Sequence, residues 1–363
     1  KDSLQFLNGF LEQLAACLLK GGKKGFAQLR AGFSSTTDEE GLELLMRKGV
    51  YPYDYMSDIA RLAETSLPPL ESFFNRLQNR PCSEEDYAHA QNVWNKFGCK
   101  TIQDYHDLYL KTDVLLLADV FESFRGATTA TFGLDPAYYV SEPQLYWDCM
   151  MKMTKCELEL LSDPSMFKLI NENLRGGVSV ITKRHEKANN KYMGDQCNAK
   201  APSSYILYLD TNNLYGWAMS EPLPMSDFTW IAEEECKAID WLVQDAEQEY
   251  GYFIECDFAY PDELHDWHND YPLAPERLIV EEHLLSDKQA DILGSYSRPH
   301  TAVPKLIPNF FNKTKQLVHY RNLRFYLEHG LVLTKVHKAI RFKQSRWLKP
   351  YVQTNTELRA KSN

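Results

Sequence analysis

Residues 205–216 have the sequence Tyr-Ile-Leu-Tyr-Leu-Asp-Thr-Asn-Asn-Leu-Tyr-Gly, five apolar residues followed by a polar turn. The aromatic and branched side chains predict a β-strand over 205–209 that ends at Asp210. An Asp at the exit of a buried strand is well placed to bind a hard cation through oxygen, and nearby backbone groups can hold phosphates. The alternative is an Asp that caps a turn containing Asn212 and Asn213, and these residues alone favour that alternative.

The rest of the chain changes from helical to mixed patterns near residues 165–175. Apolar spacing before this point predicts helices over 2–18, 101–124 and 142–161, with a short helix and an aromatic loop over 41–58. Beyond it, the sequence predicts further strands over 178–182, 252–260 and 331–342, and an acidic helix over 233–249. The pattern predicts a mixed α+β fold with domains at 1–165 and 166–363.

The composition is typical of a globular protein. Of the 363 residues, 44% are apolar and 25% charged, which argues against wholesale disorder. The length suggests about two domains, and no window approaches the ~20 apolar residues that a membrane span needs. The formal net charge of -10, taken alone, argues against a nucleic-acid binder.

The charge is distributed unevenly along the chain. Residues 1–300 contain 27 Lys and Arg against 48 Asp and Glu, a net charge of -21, whereas residues 301–363 contain 13 against 2, a net charge of +11. This asymmetry predicts a basic segment that meets a polyanion or docks on the acidic remainder. A solvated basic face without a partner is equally compatible with the charge alone.

Cysteine usage and the first residue allow two predictions, one about the cellular compartment and one about whether the chain is a fragment. The eight cysteines form no Cys-x-x-Cys pair, so we expect reduced thiols in an intracellular protein. No signal or transit peptide is visible. The chain begins with Lys1 rather than Met, and we expect it to be an internal fragment of a longer protein.

Three other groups of residues could carry chemistry. Tyr109 and Asp113 are four residues apart, so a helix would place the phenol and the carboxylate on one face, within reach of one metal-bound water. Arg175-Gly176-Gly177 would let another backbone approach closely, although a helix end and a turn explain the same glycines. A third group could bind a metal but favours a structural loop; it consists of Cys256, His265 and His268.

The order and spacing of these motifs resemble one family. Tyr109-x-x-x-Asp113, then LRGG at 174–177, then YLDTNNLYGWAMSEPLP at 208–224 is similar to the protein-primed, organellar and viral type of family B DNA polymerase. Within it, the chain looks most like the polymerases of Maverick/Polinton-type transposons. Supporting motifs are VYPYDYM at 50–56, HNDYPLAPE at 268–276 and WLKPY at 347–351.

The resemblance implies a role for the residues of the first domain and of the linker. The first domain would be the C-terminal part of a ribonuclease H-like 3′–5′ exonuclease, in which Asp113 binds a metal and Tyr109 orients the attacking water. Gly176 and Gly177, with Arg175, would contact the template strand of DNA.

It also implies a partial family B palm over 166–363. Asp210 would be its first metal-binding Asp. The nucleotide pocket would contain Thr211, Asn212, Asn213, Leu214 and the steric gate Tyr215. Gly216 stands where the family has Pro, and we expect it to loosen the turn.

The implied activity is template-directed DNA synthesis with two Mg²⁺ ions, which stabilise the attacking and leaving oxygens. The implied partners are template and primer DNA, deoxynucleoside triphosphates and a terminal protein primer, with no membrane. The exonuclease and palm motifs with the remaining carboxylates, and the fingers motif, are absent from the sequence, so we expect no polymerase activity from this chain alone. The alternative is a transposon-derived protein that has lost catalysis and binds DNA or another protein.

Overall fold

The chain forms two units, Lys1–Met153 and Thr154–Asn363, in a computed structural model that describes residues 2–77, 79–183, 185–296 and 303–362. The first unit is helical, and the second combines helices with antiparallel sheets. The fold is therefore mixed α/β. The assignment of 1–165 to an exonuclease domain and of 166–363 to a palm stays a prediction.

The first unit is built around a 31-residue helix, α5. Thr101 caps this helix in a capping box: its side chain accepts a hydrogen bond from the Asp104 N–H, and the Asp104 carboxylate accepts one from the Thr101 N–H. The helix ends at Gly133, whose φ of 65° is the left-handed conformation that favours glycine. The α-helices of this unit are α1 (Leu11–Lys20), α2 (Ala27–Phe33), α3 (Glu39–Leu45), α4 (Glu84–Lys96), α5 (Ile102–Phe132) and α6 (Glu142–Thr154).

The core of the first unit lies where α1 and α2 pack on α5. Phe26, Leu29 and Leu116 are fully buried there. Helix α2 begins without a side-chain cap of its own. The buried carboxylate of Asp119 on α5 accepts hydrogen bonds from the backbone N–H groups of Gln28 (2.7 Å) and Leu29 (3.0 Å). An acid on one helix therefore satisfies the free donors at the start of its neighbour.

The second unit contains an antiparallel sheet in the order β1–β6–β2–β5, and a short β3–β4 pair. Its strands are β1 (Leu223–Ile231), β2 (Tyr250–Ala259), β3 (Glu276–Leu278), β4 (Lys305–Ile307), β5 (Lys313–His319) and β6 (Val332–Ser345). Its α-helices are α7 (Pro164–Glu172), α8 (Leu214–Met219), α9 (Glu233–Cys236), α10 (Asp287–Ser295), α11 (Tyr320–Glu328) and α12 (Lys349–Ser362).

The core of the second unit lies on one face of its sheet. Ile254, Cys256 and Phe258 alternate along β2 and are buried, as the two-residue period of a strand requires. Leu323 of α11 packs against this face and is fully buried. The predicted strands over 252–260 and 331–342 are confirmed as β2 and β6.

The strand predicted over 205–209 is wrong. These five residues belong to no strand, and their side chains are 56–95% exposed. An isolated antiparallel bridge between Asn189 and Ser204 precedes the segment, but no described residue continues it as a ladder. Side chains of high β-propensity form a strand only against a partner that completes the backbone hydrogen bonds and covers one face.

Two further predicted elements are also corrected. Residues 178–182 form no strand, for the same lack of a partner. The acidic helix predicted over 233–249 is limited to α9, four residues long. Three glutamates begin this helix, and only its last residue, Cys236, is buried, so little apolar packing is available to extend it.

Candidate functional site

Tyr109 and Asp113 meet on one face of α5. The Tyr109 hydroxyl donates a hydrogen bond of 2.7 Å to Asp113 Oδ2. Helical spacing of four makes this contact possible, because residues i and i+4 are neighbours on the helix surface. The Tyr109 side chain is buried and that of Asp113 is 20% exposed.

The loop after α3 contributes three residues to this pair. Lys48 Nζ lies 3.9 Å from Asp113 Oδ2, and the Tyr53 hydroxyl is hydrogen-bonded to the Tyr109 hydroxyl. The Tyr51 ring stacks on the Tyr109 ring at 4.6 Å between centroids. We call Lys48, Tyr53, Tyr109 and Asp113 the carboxylate cluster.

Hydrogen bonds fix the loop against α5 on both sides of the cluster. The Tyr105 hydroxyl donates to the Val50 carbonyl oxygen at 2.6 Å, and the Tyr51 hydroxyl lies 2.6 Å from His106 Nδ1. Tyr105 is one turn before Tyr109 on α5. The cluster is therefore held by two rigidly joined segments rather than by a free loop.

The cluster contains one carboxylate oxygen that is free to accept. Asp113 Oδ1 is buried and has no hydrogen-bond partner among the described residues. Burial raises the pKa of Asp113, against the opposing effects of the Tyr109 hydrogen bond and the Lys48 charge. Burial, together with hydrogen bonds to Tyr53 and Asp113, also raises the pKa of Tyr109, which keeps the phenol protonated as a donor.

A cavity of about 510 Å³ borders Lys48 and Tyr53. Its aromatic lining consists of Phe10, Tyr51, Tyr53, Phe73 and Phe74. Arg47, Lys48 and Arg80 supply positive charge. Two carboxylates also line the cavity, Glu12 and Asp86, and Asp86 is ion-paired with Arg47 at 2.6 Å. Cations beside exposed aromatic rings suit a strand of nucleic acid, whose phosphates and bases they can contact separately.

The predicted nucleotide-binding residues are contiguous and exposed. Asp210, Thr211 and Asn212 precede Asn213, which caps α8 in the left-handed conformation (φ 53°). Leu214 and Tyr215 begin α8 and are 53% and 86% exposed. This segment lies in the second unit and Asp113 in the first.

Gly216 does not loosen a turn, as the sequence suggested, because it lies buried inside helix α8. A β-carbon at Gly216 would lie 2.4 Å from the Asn213 side-chain amide nitrogen. The glycine thus lets the Asn213 side chain lie against the first turn of the helix.

The predicted DNA-binding residues divide into one anchored side chain and two exposed glycines. The Arg175 guanidinium is half-buried and donates to the Leu317 carbonyl oxygen of β5 at 2.6 Å. Burial lowers the pKa of Arg175. Gly176 and Gly177 are exposed, and a β-carbon at either would meet no atom within 4 Å. Arg175 therefore ties this segment to the sheet.

The described residues do not form a complete metal centre. No group of three His, Cys, Asp or Glu side chains within residues 2–77, 79–183, 185–296 and 303–362 could hold a metal ion. Asp113, with its unpartnered buried oxygen, suits one ligand position of Mg²⁺, which prefers carboxylate oxygen and keeps several waters. A complete two-metal site is not assembled from these residues.

Cys256, His265 and His268, the third group considered from the sequence, do not come together as a metal site among the described residues. Cys256 lies in the sheet core, where its thiol faces the carbonyl oxygens of Ile254 and Gln316. His268 Nδ1 is hydrogen-bonded to the Tyr260 hydroxyl at 2.7 Å. These side chains are structural parts of the second unit.

Sequence reasoning missed Lys48 and Tyr53 as partners of Asp113. They precede Tyr109 by more than 50 residues, and only packing brings them to it. The motif VYPYDYM at 50–56 contains Tyr53 and is separated from Lys48 by Gly49 alone. A basic residue beside an aromatic motif was the available signal.

Comparisons with known proteins gave one distant match. No protein-family model and no curated protein matches the chain. Among solved structures, it is similar to phi29 DNA polymerase in an orthorhombic crystal form, with a TM-score of 0.38 and 12% identity. The match covers 86% of this chain and 44% of that polymerase, so this chain spans less than half its length. In the part of the chain that the structure describes, no helix is both long and apolar enough to span a bilayer.

Proposed function

We propose that this chain is part of a protein-primed family B DNA polymerase, with the carboxylate cluster in its 3′–5′ exonuclease domain. The observation that carries the proposal is the hydrogen bond from Tyr109 to Asp113, with Asp113 Oδ1 left free beside Lys48. The ordered motifs at 109–113, 174–177 and 208–224 support it from the sequence.

The cluster suits hydrolysis of a phosphodiester. Asp113 offers one oxygen to Mg²⁺, and this ion, when bound, would polarise the phosphate and activate water. The Tyr109 hydroxyl, kept protonated by its surroundings, can orient a water molecule beside that oxygen. Lys48 places a positive charge where the developing negative charge of the phosphate would be stabilised.

In the second unit we assign Asp210 to the first metal position of the palm. Thr211, Asn212, Asn213 and Leu214 would contact a deoxynucleoside triphosphate, and Tyr215 would exclude a 2′-hydroxyl by volume. Arg175, Gly176 and Gly177 would follow the template strand. A terminal protein would supply the priming hydroxyl, and the remaining carboxylates would come from parts of the protein outside this chain.

The test is metal-dependent cleavage of single-stranded DNA by a full-length protein that joins this chain to the remaining carboxylate motifs. A 5′-fluorescein oligonucleotide in Mg²⁺ is expected to lose nucleotides from its 3′ end. Asp113→Asn should abolish this loss, and Tyr109→Phe should slow it by about 10²-fold. The matched control is Asp107→Asn, because Asp107 is an exposed carboxylate on the same helix that contacts Gln103. Cleavage that survives Asp113→Asn would contradict the assignment.

A second candidate is a DNA-binding protein without catalysis. It is supported by the cavity beside the cluster, where Lys48 and Arg80 lie next to the exposed rings of Phe10 and Tyr53. It predicts binding of the same oligonucleotide, weakened by Arg80→Ala in the cavity beside the cluster, with no cleavage in Mg²⁺ or Mn²⁺. An absence of DNA binding altogether would contradict both candidates.

A further inference from the structure

Residues 261–275 connect β2 to β3 in the second unit. Leu273 and Ala274, near the C-terminal end of this segment, are buried members of the sheet core, and Leu264 packs against the core from the other end. The segment therefore covers part of the core, and we call residues 261–275 the strap.

His268 is a buried titratable residue of the strap, and its side chain is paired on one side only. It is 7% exposed, and its Nδ1 atom lies 2.7 Å from the Tyr260 hydroxyl. That hydroxyl also accepts a hydrogen bond of 3.1 Å from the Leu273 N–H. The arrangement that leaves fewest polar atoms unpaired has Tyr260 donating its proton to His268 Nδ1. Neutral His268 then carries its own proton on Nε2, which is buried and has no hydrogen-bond partner among the described residues.

A second proton on His268 would disturb this arrangement. Both ring nitrogens would become donors, so Nδ1 would donate to the Tyr260 oxygen and the Tyr260 proton would lose its acceptor. The proton on Nε2 would still have none. A buried charge and buried donors without acceptors are both unfavourable. Protonation of His268 therefore destabilises the closed position of the strap.

The neighbouring helix adds positive charge at this point. His329 ends helix α11, and its ring stacks at 6.1 Å between centroids on the ring of Trp267, the residue before His268. Burial, followed by the charge of His329, lowers the pKa of His268. Acidification thus charges two histidines that lie near one another.

The other titratable groups around His268 do not compensate for a positive charge there. The Tyr260 phenol faces it from the end of β2, and the His265 ring contacts the same Tyr260 ring at 5.7 Å between centroids. Phe310, which stacks on His265, is uncharged. The acids of the strap are exposed to solvent, which screens their charge; they are Asp262, Glu263, Asp266 and Asp270.

The strap also contains strained backbone. Ala274 has a φ of 51°, in the left-handed region that a residue with a β-carbon adopts only at a cost. The Gln316 side-chain amide fixes this conformation by donating to the carbonyl oxygens of Ala274 (3.3 Å) and Pro275 (3.1 Å). Release of the strap would relieve the strain, so the closed position depends on the contacts that His268 and its neighbours make.

We propose that the strap is an acid-sensitive device, closed on the sheet core while His268 is neutral and open when His268 is protonated. Burial holds the pKa of His268 in the closed state below its ordinary 6.5, so the open state binds the proton more tightly. The stability of the closed state is therefore full above 6.5 and is lost as the pH falls below it. This inference is independent of the proposed function.

Hydrogen–deuterium exchange of the full chain, read by mass spectrometry, measures opening of the strap between about pH 7.5 and about pH 5. The reporters are the His268 N–H, which donates to the Leu264 carbonyl oxygen at 2.8 Å, and the Leu273 N–H. After correction for intrinsic exchange, opening should rise by up to about tenfold for each pH unit below 6.5. The amides of β2 should keep their protection. An equal loss in β2 would indicate global unfolding and overturn the proposal.

His268→Asn removes the titrating group and keeps the hydrogen bond. The Asn side-chain oxygen can take the place of Nδ1 as acceptor for the Tyr260 proton, and it does not titrate. The rise in opening at low pH should disappear. The matched control is His283→Asn, because His283 is an exposed histidine of the same unit that pairs with Glu281 at 3.1 Å; it should keep the rise of the wild type. A rise that persists in His268→Asn overturns the proposal.

His329→Gln tests the strap without altering His268, even where asparagine at 268 loosens the strap at neutral pH. Removal of this neighbouring cation brings the pKa of His268 closer to its ordinary value, so the total rise in opening on acidification should become smaller. A smaller rise supports the proposal, and a rise that is unchanged or larger overturns it.

Discussion

The backbone of Gly49 lies directly against the ring of Tyr109. A β-carbon built at Gly49 would be 2.7 Å from Tyr109 Cδ2, closer than carbon atoms approach without displacement. The loop after α3 can therefore reach the carboxylate cluster only because residue 49 has no side chain. Lys48 is positioned over Asp113 by this close approach.

Gly49→Ala should displace the Tyr109 ring and destabilise the protein. Insertion of a methyl group into a packed contact costs about 1–3 kcal/mol, and we expect a loss of this size in urea unfolding. The control is Gly126→Ala on the same helix as Tyr109, where a β-carbon would meet no atom within 4 Å. Alanine there should raise the free energy of unfolding by about 0.5–1 kcal/mol. Equal effects at both positions would contradict the contact.

Asp113→Asn should become more stable relative to the wild type as the pH rises. Burial raises the pKa of Asp113 above its ordinary 3.8 in the folded protein, so the folded state holds the proton more tightly than the unfolded chain. The contribution of this group to stability is present at low pH and is lost as the pH rises through the folded-state pKa. Asparagine can still accept from the Tyr109 hydroxyl. Urea unfolding between about pH 4 and pH 8 measures the difference, and a constant difference would contradict the raised pKa.

Glu221→Gln should show the opposite dependence on pH. Burial alone would raise the pKa of Glu221, but hydrogen bonds from Arg346 (3.0 Å) and Arg321 (2.8 Å) hold it below its ordinary 4.5. Its contribution is therefore full above 4.5 and is lost as the pH falls through the folded-state pKa. We expect Gln to cost about 1–3 kcal/mol near neutral pH.

The measurement is again urea unfolding as a function of pH, with the variant compared with the wild type at each point. The difference in free energy of unfolding between the variant and the wild type should disappear at acidic pH. A difference that persists at acidic pH would indicate that lost packing, rather than lost charge, accounts for the destabilisation.

Leu209→Lys should leave the stability nearly unchanged. Leu209 is 83% exposed in the unpaired segment 205–209, and a surface substitution away from special features changes the free energy of unfolding by less than about 0.5 kcal/mol. The matched comparison is Ile254→Ala in β2, a fully buried position, which should lose about 2–5 kcal/mol. Thermal unfolding of the two variants measures this difference in stability. A large loss with Leu209→Lys would show that this segment belongs to the sheet core.

The sequence predicts the elements whose apolar residues recur with the period of a helix or of a paired strand. Helix α5 was predicted over 101–124 because Leu116 and its apolar neighbours recur at helical spacing. The strand predicted over 252–260 forms β2, in which Ile254 and Phe258 are buried and their neighbours are partly buried. In both cases local pattern and tertiary packing agree.

The local sequence pattern could not predict the conformation of residues 205–209 or the position of Lys48. Tyr205 and Leu209 have the propensity of a strand, but a strand also needs a partner strand. The residues of the segment do not reveal whether such a partner is present. Lys48 comes to Asp113 through the contact of Gly49 with Tyr109, which depends on the path of a loop. The Tyr109–Asp113 pair was predictable because both residues belong to one helix.

The order β1–β6–β2–β5 has a consequence for synthesis of the protein. Strand β6 lies between β1 and β2, yet it is the last strand of the sheet to be translated. At about 5–20 residues per second, roughly ten seconds separate the end of β2 from the end of β6. During that interval the edge of β2 that pairs with β6 has no partner for its backbone N–H and C=O groups. The four-stranded sheet of the second unit can close only after residue 345 has been synthesised.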